Sequence, residues 1–100
     1  MEIRANEGEI LFEGFGSDRE VVGEAAKSGV DLRNSNLRGL DLHGLELRGI
    51  DLSSADFSGS GVSQARLIMC SFFRAKFVGT NLRESFLHYS SFVEAVEIVI

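Results

Sequence analysis

The sequence predicts an all-β solenoid of about three rungs, closed at its N-terminal end by a strand–helix cap. Three observations carry that expectation. Large apolar residues recur five apart from Leu32 through Leu37, Leu42, Leu47, Leu52, Phe57, Val62, Leu67, Phe72, Phe77, Leu82 and Leu87 to Phe92. A second, mostly small series stands two residues ahead of each, including Ser35, Ala55, Ser60, Ala65, Cys70, Ala75 and Ser90. Read twenty residues apart, the large series sorts by type: Leu32, Leu52, Phe72 and Phe92 form one column, and Leu47, Leu67 and Leu87 another.

Neither regular element accommodates a spacing of five. A strand would throw successive leucines onto opposite faces, and a helix would rotate each by about 140° and smear the stripe around its axis. A chain that turns about 90° at every fifth residue closes a square after four units and returns above itself, one strand spacing of about 4.8 Å higher. Each unit then buries its first and third positions. Glycine recurs at the fifth position (Gly39, Gly44, Gly49, Gly59, Gly79), where a type II corner requires positive φ. Between the two inward series stand Asp31, Asn36, Asp41, Asp51, Asp56 and Asn81.

The elements follow in chain order. Residues 1–29 are expected to cap the open end: two short strands within 2–14, with Ile3, Ala5, Ile10 and Phe12 alternating inward, then a helix within 14–29. Ser17 and Glu20 have capping-box spacing, Lys27 suits the last turn and Gly29 the stop. The "GFG" at 14–16 lacks the further glycine and the lysine of a phosphate loop and is read as structural. Residues 30–94 form the coil, whose first rung departs from the pattern at Leu40 and Leu45 because it is wider or meets the cap. Residues 95–100, "AVEIVI", form an apolar tail in which Glu97 breaks the register.

The units "ADFSG" (55–59) and "TNLRE" (80–84) match closely the A-(D/N)-L-x-x consensus of the pentapeptide repeat family, which residues 30–94 resemble throughout. The resemblance implies a right-handed quadrilateral β-helix. It also implies two functional precedents. Some members inhibit DNA-handling proteins, notably gyrase-type topoisomerases, by imitating duplex DNA, and some dimerise through their C-terminal ends.

Composition narrows the function. The chain has 100 residues, one cysteine and a net charge of −5, which argue for a single domain in a reducing compartment and against generic binding to nucleic acid or anionic membrane. Its start lacks the blocks of a secretory signal and no apolar run is long enough to span a bilayer, so a cytoplasmic protein is expected. No enzyme, metal or cofactor is expected: His43 and His88 fall on different faces without companions, and Cys70 takes an inward position as a compact apolar group.

Charge then distinguishes two binding roles. Residues 1–60 carry twelve acids against six bases, and residues 61–100 carry three against four. The first role is an inhibitor that mimics duplex DNA and competes for the nucleic-acid site of a bacterial complex, a topoisomerase or phage-defence (CRISPR) machinery. Its partner-binding acids are Glu2, Glu7, Glu9, Glu13, Asp31, Asp41, Glu46, Asp51 and Asp56. Duplex DNA carries a charge every 1.7 Å or so, which sets about three net acids per rung, and a coil of about 16 Å is half a DNA turn; mimicry therefore leans on the acidic cap and on doubling. The alternative is an interaction scaffold. Its surface combines outward Ile68, Met69, Phe73, Phe86, Tyr89 and Val93 with the tail residues Ile98, Val99 and Ile100, as a partner patch or the contact of a homodimer through the C-terminal end. A tail folded back as an intrachain lid would serve the same apolar residues.

Overall fold

The computed structural model describes residues 1–98; the tail positions Val99 and Ile100 lie outside the described residues. The fold is β-helix-like. From Asn36 onward the chain meets itself in parallel bridges twenty residues apart, such as Asn36 with Asp56, Asp51 with Ser71 and Lys76 with Val96. The hydrogen bonds have one repeating form. Phe57 N donates to Lys76 O (2.8 Å) and Lys76 N donates back to Ala55 O (2.9 Å).

Named sheets are nevertheless small. Strands β4 (Glu46–Arg48) and β5 (Arg66–Ile68) pair in parallel, and elsewhere on the coil single bridges take their place. The reason is the period itself: with a corner in every unit, few residues on each side are left extended enough to pair.

Every fifth residue from Asn34 to Glu94 has positive φ, between 53° and 73°. Five of these are the expected glycines; Ser54, Gln64, Met69, Arg74, Glu84 and Tyr89 adopt the same conformation without that freedom. A left-handed L-residue costs about 1–2 kcal/mol, so something must hold each corner. One fixture is the turn bond itself, as in Ala55 N to Leu52 O and Ala75 N to Phe72 O, both 3.0 Å. A second, at the corners of Asn34, Gly39, Gly44, Ser54, Gly59 and Glu84, is the polar series. Asp31, Asn36, Asp41, Asp51, Asp56 and Asn81 each accept the backbone N–H two residues on, at 2.9–3.3 Å. Asp and Asn recur there because a short side-chain oxygen closes the corner. The corners at Gln64 and Met69 have neither fixture and are bridged by the hydroxyls of Ser85 and Ser90.

Inside, Phe57 and Phe77 stack at 5.3 Å, Phe72 and Phe92 at 5.0 Å, and the two columns meet edge to face through Phe57 and Phe72. The small inward series does more than make room. Ser60 Oγ donates to Leu37 O and accepts from Leu40 N, so a hydroxyl one turn up bridges the corner below. Ser85 bridges Val62 and Ala65 in the same way, and Ser90 bridges Leu67 and Cys70.

At the N-terminal side β1 (Glu2–Ala5) lies between β2 (Ile10–Glu13) and the two-residue β3 (Ser35–Asn36), antiparallel to both. Ile10 does not join the inward alternation. The register slips between Ile3 and Arg4, leaving Leu11 unpaired, so Ile10 faces Arg4 and is exposed. Helix α1 (Asp18–Lys27) starts at Ser17 with a complete capping box to Glu20. It buries Val21, Val22 and Ala25 in one cluster with Leu32, Leu37, Leu42 and Leu45. Leu45 thus replaces a small residue where the coil meets the helix. Asp18 Oδ2 accepts Asp41 N at 3.0 Å and Arg19 donates to His43 O at 3.1 Å, fixing the helix to the coil.

Candidate interaction surfaces

Two surfaces compete for a functional role, and the ladder register decides how each is assembled. Outward residues near the C-terminal end converge. Arg66 and Phe86 are bridge partners and Met69 N donates to His88 O at 2.9 Å, so the 66–69 and 86–89 segments stack on one side. Ile68 and Met69 therefore lie beneath Phe86, His88 and Tyr89. His88 stacks on Phe86 at 6.0 Å and the Arg66 guanidinium lies 5.9 Å from the Phe86 ring centre. Around the next corner Phe73 and Val93 stack, with the Arg74 guanidinium 5.3 Å from the Phe73 ring. Tyr89 is 88% exposed and Val93 58%. Ile98 is half-buried against the core cluster rather than standing clear of it. Sequence reasoning missed Val78 and Val96, exposed on the side beyond; both occupy outward slots, which was the available signal.

The acids do not converge. Asp31 and Asp51 share one side of the coil by the twenty-residue register, whereas Asp41, Glu46 and Asp56 each occupy a different side. Several already have partners. Arg33 binds Asp31 through two side-chain nitrogens (2.9 and 2.7 Å), Arg38 approaches Asp56 at 3.7 Å, and Arg4 binds Glu2 at 2.8 Å. Asp56 is half-buried as well. In the hairpin Glu2 and Glu13 are cross-strand partners, and Glu7 accepts from Asn34 Nδ2. Glu9, Glu13, Asp41, Glu46 and Asp51 are exposed, and no ion pair forms to them among the described residues.

The titration shifts follow these contacts. The Arg33 side chain and backbone N–H hold the Asp31 carboxyl down at about 2, and the Asp31 carboxylate in turn raises Arg33. Backbone and side-chain hydrogen bonds from Ser17 lower Glu20. Burial raises the Cys70 thiol. Each shift belongs to a corner, a cap or the core rather than to a reactive centre. Among the described residues no group of three His, Cys, Asp or Glu side chains could hold a metal ion, and no helix is long and apolar enough to cross a membrane.

The five-residue unit, the corner at every fifth residue and the twenty-residue ladder coincide with the match of the pentapeptide repeat profile, in eight copies over residues 28–53 and 50–88. The chain is a pentapeptide repeat protein. Pentapeptide repeat proteins are generally non-enzymatic and often act by binding other proteins or by imitating DNA. No curated protein matches the chain significantly.

Proposed function

We propose that this pentapeptide repeat protein is a non-enzymatic, cytoplasmic interaction module, a right-handed quadrilateral β-helix of about three rungs under an N-terminal strand–helix cap. Its working surface is the apolar patch of Met69, Phe73, Phe86, Tyr89 and Val93. The observation that carries the reading is the stacking of Met69, Phe86 and Tyr89, all exposed, on one side of the coil. Aromatic and methionine side chains are the types that dominate the buried centre of protein interfaces. A rigid ladder presents them with little side-chain ordering left to lose on binding.

A second reading rests on the acidic hairpin. Glu9 and Glu13 stay exposed and unpaired at the end that holds most of the excess negative charge. Under it the chain inhibits a nucleic-acid-binding complex, such as a topoisomerase or CRISPR-type machinery, by occupying its DNA channel. The longest extent of the molecule, 29 Å, falls short of a DNA turn of about 34 Å, so this reading needs two copies end to end.

The test is capture of partners on the tagged protein, with and without excess duplex DNA. Capture that ignores DNA and is lost in a Phe73→Asp, Tyr89→Asp variant supports the patch. Capture that DNA displaces, and that fails when Glu7, Glu9, Glu13, Asp41 and Asp51 become the corresponding amides, supports mimicry and overturns the patch.

A further inference from the structure

A groove runs along the outer side of the coil between α1 and the β4–β5 pair, with a volume of about 620 Å³. Its floor is apolar: Ala26, Leu47, Ile50 and Ile68. Lys27, Arg48 and Arg66 rim it, opposed by Glu46 alone. Arg4, Arg33, Arg38 and Arg74 each pair with an acid. Three of the six cations that form no ion pair among the described residues gather on this one rim; the other three are Arg19, Lys76 and Arg83. Even Arg66, set directly across from Glu46 in the β4–β5 register, lies beyond ion-pair distance of it. In a protein of net charge −5, this is a cationic, apolar recess awaiting an acidic, apolar occupant.

The same chain carries such a group. Phe15 stands 96% exposed between β2 and α1, held out by the "GFG" turn and flanked by Glu13 and Asp18. No internal contact explains a phenylalanine there. Its surface hollow shares Gly23, Lys27 and Glu46 with the groove, so knob and recess flank one strip of α1. At the centre of that strip is Gly23, inside a helix where alanine would be more stable, with nothing within 4 Å of where a Cβ would lie. A glycine on an open helix face allows another helix to approach closely.

We propose that a second copy of this chain is the occupant. The two copies face each other across a two-fold axis beside Gly23, and each inserts Phe15 into the other's groove. Glu13 and Asp18 then meet Lys27, Arg48 and Arg66 of the opposite copy. Such a contact is self-complementary, as a two-fold interface requires. Room is not limiting, since an apolar cavity of about 150 Å³ holds a benzene ring. The groove borders the C-terminal patch through Arg66 and Ile68 but takes none of its lining from Phe73, Phe86, Tyr89 or Val93, so changes at Phe73 and Tyr89 separate the two surfaces.

The test is the oligomeric state of the full chain by sedimentation equilibrium, from micromolar to millimolar concentration. The wild type should show a concentration-dependent dimer. Phe15→Ser removes two buried rings per dimer and should raise the dissociation constant by about a hundredfold. Gly23→Gln should abolish the dimer while leaving helix content and melting temperature undiminished, a split that a purely structural glycine would not produce. Arg48→Glu with Arg66→Glu should weaken the dimer, and Phe73→Asp with Tyr89→Asp should not. A wild type that stays monomeric at millimolar concentration overturns the proposal. So does a dimer that survives both Phe15→Ser and Gly23→Gln, or one that the Phe73 and Tyr89 changes abolish.

Discussion

Serine-to-alanine changes at Ser35 and Ser60 should alter stability in opposite directions, although both side chains are inward and fully buried. The inward hydroxyls of Ser60, Thr80, Ser85 and Ser90 each donate to the carbonyl twenty-three residues earlier, one turn down the coil. Twenty-three residues before Ser35 is Phe12, which belongs to the hairpin and not to the coil. Ser35 Oγ accordingly has no hydrogen-bond partner. A buried hydroxyl without a partner costs about 1–3 kcal/mol by protein mutational data. The column above Ser35 is Ala55, Ala75 and Ala95, so alanine fits the position. Ser35→Ala should stabilise by about 1 kcal/mol, which for a chain of this size raises the melting temperature by roughly 4–8 °C. Ser60→Ala removes two hydrogen bonds and leaves Leu37 O and Leu40 N to re-form a corner unaided, which should cost about 1–2 kcal/mol. Urea unfolding followed by circular dichroism, with thermal melts alongside, measures both. Equal signs for the two variants, or a Ser35→Ala protein less stable than wild type, would refute the account of the hydroxyl ladder.

Phe72→Ala should cost about 3–5 kcal/mol, because Phe72 packs its ring against Phe57, Phe77 and Phe92 at once; Phe72→Leu should cost much less, and denaturant midpoints of the pair will show the gap. Asp31 should titrate at about 2, so its contribution to stability is present above the ordinary aspartate value of 3.8 and is lost as pH falls toward 2. Carboxyl-carbon NMR should show Arg33→Ala moving that midpoint upward but not fully to 3.8, since the Arg33 backbone N–H still donates. Glu84→Gly should stabilise by up to about 1 kcal/mol, since Glu84 holds φ 58° with no ion pair among the described residues, and a lower melting temperature would contradict the strain at that corner.

The five-residue register, the inward columns, the helix cap at Ser17 and Glu20 and the family were legible in the sequence because each depends on residues at fixed short separations. Leu32 to Phe92 can repeat every five positions only if the chain turns at each unit, whatever surrounds it. Local spacing also placed the glycines at the corners. It did not disclose that Met69, Arg74 and Tyr89 share their positive φ, since there the neighbouring turn of the coil holds a strained residue in place.

Surface function depended on contacts between distant segments. Counting acids suggested a negative field, but only the folded chain brings Arg38 to Asp56, and the same packing leaves Lys27, Arg48 and Arg66 unmatched. The slip between Ile3 and Arg4 turned Ile10 outward, a one-residue event that alternation cannot register. Composition and period thus determined the shape of the coil and the identity of its core. Which charges remain free, and which apolar side chains meet one another outside it, was decided by tertiary structure, because the ladder brings together residues that stand twenty positions apart along the chain.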